Sequence, residues 1–260
     1  MNNTVRVGAC QPPEIIGDPS AALACMRRFA KEAEDKQVDL LLFPECFLSG
    51  YILDETYMAS CAYDFESKEF ATILEQLAHV KPTLVFGVGE KKEGKLFNSA
   101  VAVNRGKVVG LYRKTHLIDP NELFFTPGTE YPIFEINGLK YGINICYDAQ
   151  FANAAKAVAD KGARLLLLPA QNMLRREKAE FWKDKHNEIR SERARENGLW
   201  FVSSDVTGIR PPGRYGAERI GYGPTLAMNP KAEVVARVPL MTEGMIAVDI
   251  PVSVSTGEAP

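Results

Sequence analysis

Three ionisable residues of this chain each follow an apolar, strand-like run. They are Glu45, Lys114 and Cys146, and the runs before them read DLLLFP, VVGLYR and YGINI. A rigid strand end can aim a side chain into a cleft, whereas a residue inside a strand packs against its neighbours. A carboxylate can move a proton, an ammonium can stabilise an oxyanion and a thiol can attack a carbonyl carbon. These are the groups that a nucleophilic hydrolase requires.

Each of the three residues also has an ordinary explanation when it is taken alone. Free cysteines are among the most buried residues, a glutamate after a strand can turn into solvent, and most lysines are solvated. Cys146 has the more specific context, because Tyr147-Asp148-Ala149 leads into a helical pattern and a helix N-terminus favours a thiolate. The remaining cysteines lack this context and are predicted to be structural; they are Cys10, Cys25, Cys46 and Cys61.

Alternating strand and helix patterns would position these residues. Strands are predicted at 5–11, 38–44, 83–90, 97–104, 107–113, 131–136, 140–146, 164–168, 199–205, 224–228, 233–238 and 245–248. Helices are predicted at 19–36, 65–80, 149–161 and 177–196. Hairpins inserted among strand–helix units indicate two packed sheets covered by helices. No linker interrupts the pattern, so we expect one domain over 1–260, with 251–260 as a C-terminal tail.

Composition and charge exclude several classes of function. The 260 residues carry a formal net charge of -2, and this near-neutral balance does not indicate binding to nucleic acid or to an anionic membrane. The basic residues of 174–195 alternate with acidic ones, as on a solvated helix. No CxxC pair occurs and His116 and His186 lack partner ligands, so neither a metal site nor a cofactor is expected. The start of the chain does not resemble a signal peptide, which predicts a cytoplasmic location where thiols stay reduced.

Five short segments of the chain, in the same order, resemble the carbon–nitrogen hydrolase (nitrilase-like amidase) superfamily. They are Phe43-Pro44-Glu45 with Gly50-Tyr51, Asn98-Ser99-Ala100 through 112–117, Phe125-Thr126-Pro127-Gly128, 142–148 and Arg193-Ala194-Arg195-Glu196-Asn197. The resemblance implies a four-layer α-β-β-α sandwich with two mixed β-sheets flanked by helices. It also implies a catalytic set of Glu45, Lys114 and Cys146, with Glu122 as a supporting carboxylate that orients the site.

The implied chemistry is hydrolysis of a small amide or N-carbamoyl compound. Glu45 would act as general base and acid, and Cys146 would form an acyl-thioester and release ammonia or an amine. Lys114 and the backbone N–H of Tyr147 are the expected donors to the oxyanion. No cofactor takes part in this cycle.

The chain departs from the family's common pattern around the expected pocket. Gln150 stands in a turn where many members carry arginine, and Asn172 stands where many carry tryptophan. Tyr51, Gln150 and Asn172 are candidate substrate contacts, although packing would explain Tyr51 and Asn172 equally well. Tyr147 and Asp148 after the cysteine favour an amidase over a true nitrilase. A nitrilase and a non-catalytic binding or scaffold protein remain the alternatives.

Oligomerisation is also implied by the resemblance, because relatives commonly dimerise through later helices with the C-terminal tail crossing to the partner. We therefore expect a homo-oligomer, a dimer or larger. Phe181, Trp182 and Ile189 are candidate interface residues, and ordinary core packing is the alternative for all three.

Overall fold

The computed structural model describes residues 4–252. Helices α1–α5 span Pro19–Asp35, Glu55–Cys61, Lys68–Gln76, Ala152–Ala159 and Arg176–Asn197. Strands β1–β14 span Thr4–Gln11, Leu40–Leu42, Thr83–Lys92, Lys95–Asn104, Lys107–Arg113, Ile133–Ile136, Leu139–Ile143, Leu165–Pro169, Trp200–Ser204, Thr207–Arg210, Arg219–Tyr222, Leu226–Met228, Val234–Arg237 and Gly244–Pro251. None of these helices combines the length and the apolar character needed to cross a membrane.

Two six-stranded sheets form the centre of the molecule. The first has the order β14-β1-β2-β3-β4-β5 and the second the order β13-β12-β9-β8-β7-β6. Both are mixed: β1, β2 and β3 are parallel neighbours in the first, as are β7, β8 and β9 in the second, and the remaining pairs are antiparallel. The short pair β10–β11 stands apart from both sheets. This arrangement confirms the predicted two mixed sheets flanked by helices.

The alternation of side chains along β8 shows how the layers are held together. Leu165 and Leu167 belong to the core between the two sheets, whereas Leu166 and Leu168 pack against α4 and α5. All four are at most 1% exposed. A strand buried on both faces reads as a continuous apolar run, and each such leucine stabilises the fold by about 1.5–3 kcal/mol. Besides the core between the two sheets and the core under α4 and α5, a third core lies between the first sheet and helices α1 and α3.

The structure corrects the predicted ends of the two strands that carry the candidate residues. β2 ends at Leu42 and β7 at Ile143, so Glu45 and Cys146 each lie three residues beyond a strand. Cys146 opens a short 3₁₀ helix, Cys146–Gln150, and α4 begins only at Ala152. The prediction that a strand turns directly into an α-helix at Cys146 is therefore wrong. The apolar run continued past the last paired residue, because buried loop residues are apolar too.

Three elements, α2, β10 and β11, were not predicted, and the last predicted strand, 245–248, ends too early. Helix α2 has seven residues and begins at the Asp54 N-cap, which is too short for a helical period to stand out. The pair β10–β11 is likewise short. At the C-terminus, Pro251 pairs with Thr4 at the end of β14, so the predicted tail does not start at 251. Residues 253–260 of that tail lie outside the described residues.

Candidate active site

The Lys114 ammonium lies between two buried carboxylates. Its Nζ donates to Glu45 Oε1 at 2.8 Å, and to Glu122 Oε1 and Oε2 at 2.8 and 3.0 Å. The three residues are at most 1% exposed. The structure thus brings together three of the residues singled out in the sequence, including Glu122 from the irregular loop after β5.

Further donors fix the orientation of both carboxylates. Asn98 Nδ2 donates to Glu45 Oε1 at 2.8 Å and lies 3.3 Å from Glu122 Oε1. The backbone N–H of Gln171 donates to Glu45 Oε2 at 3.1 Å, and that of Ile118 donates to Glu122 Oε2 at 2.8 Å. Asn98 had not been given a role from the sequence. Its signal was an amide inside a buried strand, because a buried amide must find hydrogen-bond partners.

One ammonium shared by two carboxylates shapes the ionisation of the cluster. Burial raises the pKa of Glu45 above the usual glutamate value; Lys114 opposes that shift and the charge of Glu122 adds to it. Burial by itself would lower the pKa of Lys114, but Glu45 and Glu122 hold it well above its usual value. Lys114 therefore keeps its charge, while Glu45 accepts a proton more readily than an exposed glutamate does.

A close backbone approach positions Glu45. The N–H of Gly87 in β3 donates to the Pro44 carbonyl at 3.0 Å, and the Gly87 carbonyl accepts from Leu48 at 3.1 Å. A Cβ at Gly87 would stand 2.1 Å from the Cys46 nitrogen and 2.5 Å from the Glu45 carbonyl carbon. Only glycine fits there. Cys46 adopts φ +46°, a conformation that costs a non-glycine residue energy and turns the chain sharply after Glu45.

The 3₁₀ helix that begins at Cys146 is tied to the segment after Lys114 through Asp148. Asp148 Oδ2 accepts from the Ile145 N–H at 2.9 Å, and Oδ1 accepts from Thr115 Oγ1 at 2.9 Å and from the His116 N–H at 2.8 Å. Asp148 is fully buried. Its carboxylate thus links the segment that carries the thiol to the strand end that carries the ammonium.

Cys146 has a strained backbone and a thiol with a raised pKa. Its φ is +43°, within the left-handed region that non-glycine residues rarely adopt. Burial raises the pKa of the Cys146 thiol well above its usual value, the charge of Glu45 raises it further, and Lys114 opposes both. That a helix N-terminus favours the thiolate stays a prediction.

Tyr147 follows Cys146 in the first turn of the 3₁₀ helix. The turn's first internal bond runs from the Asp148 N–H to the Ile145 carbonyl at 3.0 Å. The N–H of Tyr147 precedes that bond, so the turn itself leaves it available. Its position beside the thiol is consistent with the predicted role as an oxyanion donor.

A cavity of about 120 Å³ lies beside Cys146, and one face of α5 forms a wall of it. The α5 residues lining the cavity are Lys178, Trp182, His186, Ile189 and Arg190, which recur at helical spacing. Cys146, Tyr147, Gln150 and Asn172 line it as well. Two of the residues considered for a subunit interface, Trp182 and Ile189, therefore belong to the wall of the cavity. Phe181, by contrast, is 57% exposed.

A second buried ion pair lies on the α5 side of Cys146. Asp205 follows β9 and accepts from the Asn172 backbone N–H at 2.9 Å and from Asn172 Nδ2. Arg190 lies 3.6 Å from the same carboxylate. Asn172 Oδ1 is 3.9 Å from Cys146 Sγ. Sequence reasoning missed Asp205 and Arg190, although Asp205 ends a strand-like run just as Glu45 does.

The other two candidate substrate contacts lie in different places. Tyr51 donates its hydroxyl to Glu122 Oε1 and is absent from the cavity wall. Gln150 is exposed at the end of the 3₁₀ helix and lines the cavity. The structure therefore brings Gln150 and Asn172 to the cavity, and places Tyr51 behind the carboxylates. Within residues 4–252 no group of three or more potential ligands could hold a metal ion.

The comparisons with known proteins agree on one family. The family model described as carbon–nitrogen hydrolase matches residues 6–257. A Pseudomonas protegens protein described as the hydrolase in the pqqF 5′ region is 34% identical over 66% of this chain and 61% of its own length. A nitrilase of Pyrococcus abyssi is 29% identical over 89% of this chain and 84% of its own. The chain thus spans less than two thirds of the Pseudomonas relative.

A solved structure shows the same fold. It is a variant of the amidase from Nesterenkonia sp. AN1, in which acrylamide has added to the active-site cysteine. The TM-score is 0.81 with 22% sequence identity, covering 95% of this chain and 93% of that one. At this identity the likeness establishes the fold of the described residues.

Proposed function

We propose that this chain, which belongs to the carbon–nitrogen hydrolase family, hydrolyses small uncharged amides through an acyl-thioester on Cys146. The observation that carries the proposal is the buried Lys114 ammonium held 2.8 Å from Glu45, with a nearby Cys146 thiol whose pKa is raised by burial and by the charge of that glutamate. Such a set offers a base, a nucleophile and a fixed positive charge in one water-poor site.

The first half of the reaction forms the thioester. Glu45 takes the proton of Cys146, and the sulfur attacks the amide carbon. The carbonyl oxygen becomes an oxyanion, which Lys114 and the Tyr147 N–H stabilise; one such donor is typically worth about 10²–10³ in turnover. The C–N bond then breaks as Glu45 returns the proton to the nitrogen, so ammonia or an amine leaves and the carboxylate is regenerated.

The second half removes the acyl group. Glu45 takes a proton from a water molecule, whose oxygen attacks the thioester carbon. The C–S bond breaks, the acid is released and the sulfur recovers its proton from Glu45. A positioned proton-transfer group contributes about 10²–10⁴ in rate, and the raised pKa of Glu45 suits it to act as base and acid in alternation.

The cavity wall supports an uncharged acyl group. Arg190 is its only buried cation, and its donors are occupied by the Pro224 carbonyl, Ser203 Oγ and Asp205. Burial lowers the pKa of His186 to about 3, which keeps that ring neutral. A substrate carboxylate beside Arg190 and His186 would therefore find no free positive charge, and the other cation of the lining, Lys178, is exposed to solvent. Simple amides fit better than the ω-amides of dicarboxylates.

The test is ammonia release across a panel of aliphatic amides, dicarboxylate ω-amides, N-carbamoyl compounds and nitriles. We expect turnover of the small uncharged amides, and an intact-mass increase equal to the acyl group. Cys146→Ser should lower turnover about 10³-fold or more. Cys25→Ser, at a thiol buried in α1, is the matched control and should retain activity. Full turnover in Cys146→Ser, or nitriles as the preferred substrates, would contradict the proposal.

A further inference from the structure

The orientation of the Asn172 side chain is determined by Asp205. The Asp205 carboxylate accepts from the Asn172 backbone N–H at 2.9 Å on Oδ1, and from Asn172 Nδ2 on Oδ2. An ionised carboxylate can only accept hydrogen bonds, so the amide nitrogen must face Asp205. The amide oxygen is thereby turned the other way. It lies 3.9 Å from Cys146 Sγ.

Asp205 is in turn held by Arg190 and the backbone. Its Oδ1 accepts from the Val206 N–H at 2.9 Å, and the Arg190 guanidinium lies 3.6 Å from Oδ2. Asp205 is 0% and Arg190 2% exposed. Burial raises the pKa of Asp205, whereas Arg190 and the hydrogen bonds from Asn172 and Val206 oppose the shift and favour the negative charge. Arg190 is anchored through the Pro224 carbonyl at 2.5 Å.

The segment that carries Asn172 touches both reacting groups. The N–H of Gln171 donates to Glu45 Oε2 at 3.1 Å, and the next residue points its amide oxygen at Cys146. During the reaction the substrate nitrogen must lie between these groups, because Glu45 protonates it and Cys146 is bonded to its carbon. Because Asn172 Oδ1 lies 3.9 Å from the sulfur that bonds to this carbon, it is the side-chain acceptor expected to meet an N–H of the substrate.

We propose that the chain Arg190–Asp205–Asn172 locks the Asn172 oxygen as an acceptor for the substrate's N–H, which makes Asn172 the residue that selects amides over esters. The inference rests on the proposed function and deepens it. A primary amide has two hydrogens on its nitrogen, one directed at Glu45 and one at Asn172. An ester of the same acid has none, so the half-buried Asn172 oxygen would lose this partner in the bound complex.

The experiment compares a primary amide with the methyl ester of the same small acid, in the wild type and in variants. The readout is the ratio of the kcat/KM value for the amide to that for the ester. A purely structural defect would lower both kcat/KM values equally and leave their ratio unchanged. Asn172→Leu removes the acceptor at similar size and should reduce the amide-to-ester ratio about 10-fold to 100-fold. Asp205→Asn lets the amide invert and should change the ratio in the same direction by less.

The outcomes separate this inference from the function it rests on. A ratio in Asn172→Leu equal to that of the wild type, with both substrates still turned over, would overturn the role of Asn172 and leave the hydrolase proposal intact. A wild type that hydrolyses neither substrate and forms no acyl adduct would overturn both. If Asp205→Asn does not fold, Asn172→Leu still decides the question, because it leaves the Arg190–Asp205 pair in place.

Discussion

The two buried ion clusters on either side of Cys146 differ in their charge balance. On the Glu45 side one ammonium serves two carboxylates, and on the α5 side one guanidinium serves the single carboxylate of Asp205. Burial raises the pKa of Glu45 and of Cys146, and in each case a carboxylate of the first cluster adds to the shift while Lys114 opposes it. The second cluster is balanced and fixes the direction of one amide. The first is therefore suited to moving protons, and the second to recognising a substrate.

The largest effect is expected when the first cluster loses its cation. Lys114→Met leaves two carboxylates facing each other in a fully buried site, and removing one partner of a buried ion pair costs about 3–5 kcal/mol. Activity should fall about 10³-fold, because an oxyanion donor is lost and Glu45 is held protonated more strongly. Urea unfolding and ammonia release measure the two effects.

Lys178→Met is the matched control for that substitution, since Lys178 is an exposed lysine that also lines the cavity. It should leave the free energy of unfolding within about 0.5 kcal/mol of the wild type. Equal losses of activity in the two variants would mean that positive charge near the cavity, and not the contact with Glu45, is what the reaction uses.

Removing the cation of the second cluster should act mainly on stability. Arg190→Met leaves Asp205 buried without its partner, again at a cost of about 3–5 kcal/mol. Adding Asp205→Asn removes the stranded charge, so the double variant should recover much of that loss. The amide-to-ester ratio of the double variant should be lower than that of the wild type, because a neutral side chain at 205 no longer fixes the Asn172 amide. A double variant as unstable as Arg190→Met would show that Asp205 is not the source of the cost.

The sequence reveals the two clusters to different degrees, for a physical reason. Glu45, Lys114 and Cys146 were found because each follows an apolar run, at β2 and β5 of the first sheet and at β7 of the second. Asp205 obeys the same rule and could have been found with it. Arg190 could not, since it lies within a highly charged helix, and its burial follows only from how α5 packs on the second sheet.

The fold itself was largely predictable, because the alternation of apolar residues marks most strands and both long helices. What failed was local. The strand ends at Leu42 and Ile143 were placed too late, since the buried segments after them are apolar but unpaired. The pKa of the Cys146 thiol could not be predicted from the sequence around it. Its pKa depends on burial and on Glu45, a neighbour that only the folded chain brings close.

A smaller effect, on pH dependence, tests the surplus charge of the first cluster. The reaction needs ionised Glu45, so kcat/KM should fall as pH drops through the pKa of Glu45, above the usual glutamate range. Because the charge of Glu122 raises that pKa, Glu122→Gln should move the acid limb to lower pH, with a roughly tenfold loss of kcat. A limb that stays in place or moves up would show that Glu122 does not act on Glu45 through its charge.

The smallest effects separate the two sides of α5. Trp182 lines the cavity, so Trp182→Ala should raise KM for small amides several-fold. The loss is about 0.8 kcal/mol of binding free energy for each substrate methylene that loses its contact. The enlarged cavity should also favour bulkier acyl groups. Phe181 is 57% exposed, so Phe181→Ala should leave kcat/KM unchanged and stability within about 0.5 kcal/mol. Sedimentation of both variants completes the comparison. If Phe181→Ala alone lowers the molecular mass in solution, the outer face of α5 is a subunit interface, as the sequence had suggested, while the inner face belongs to the cavity.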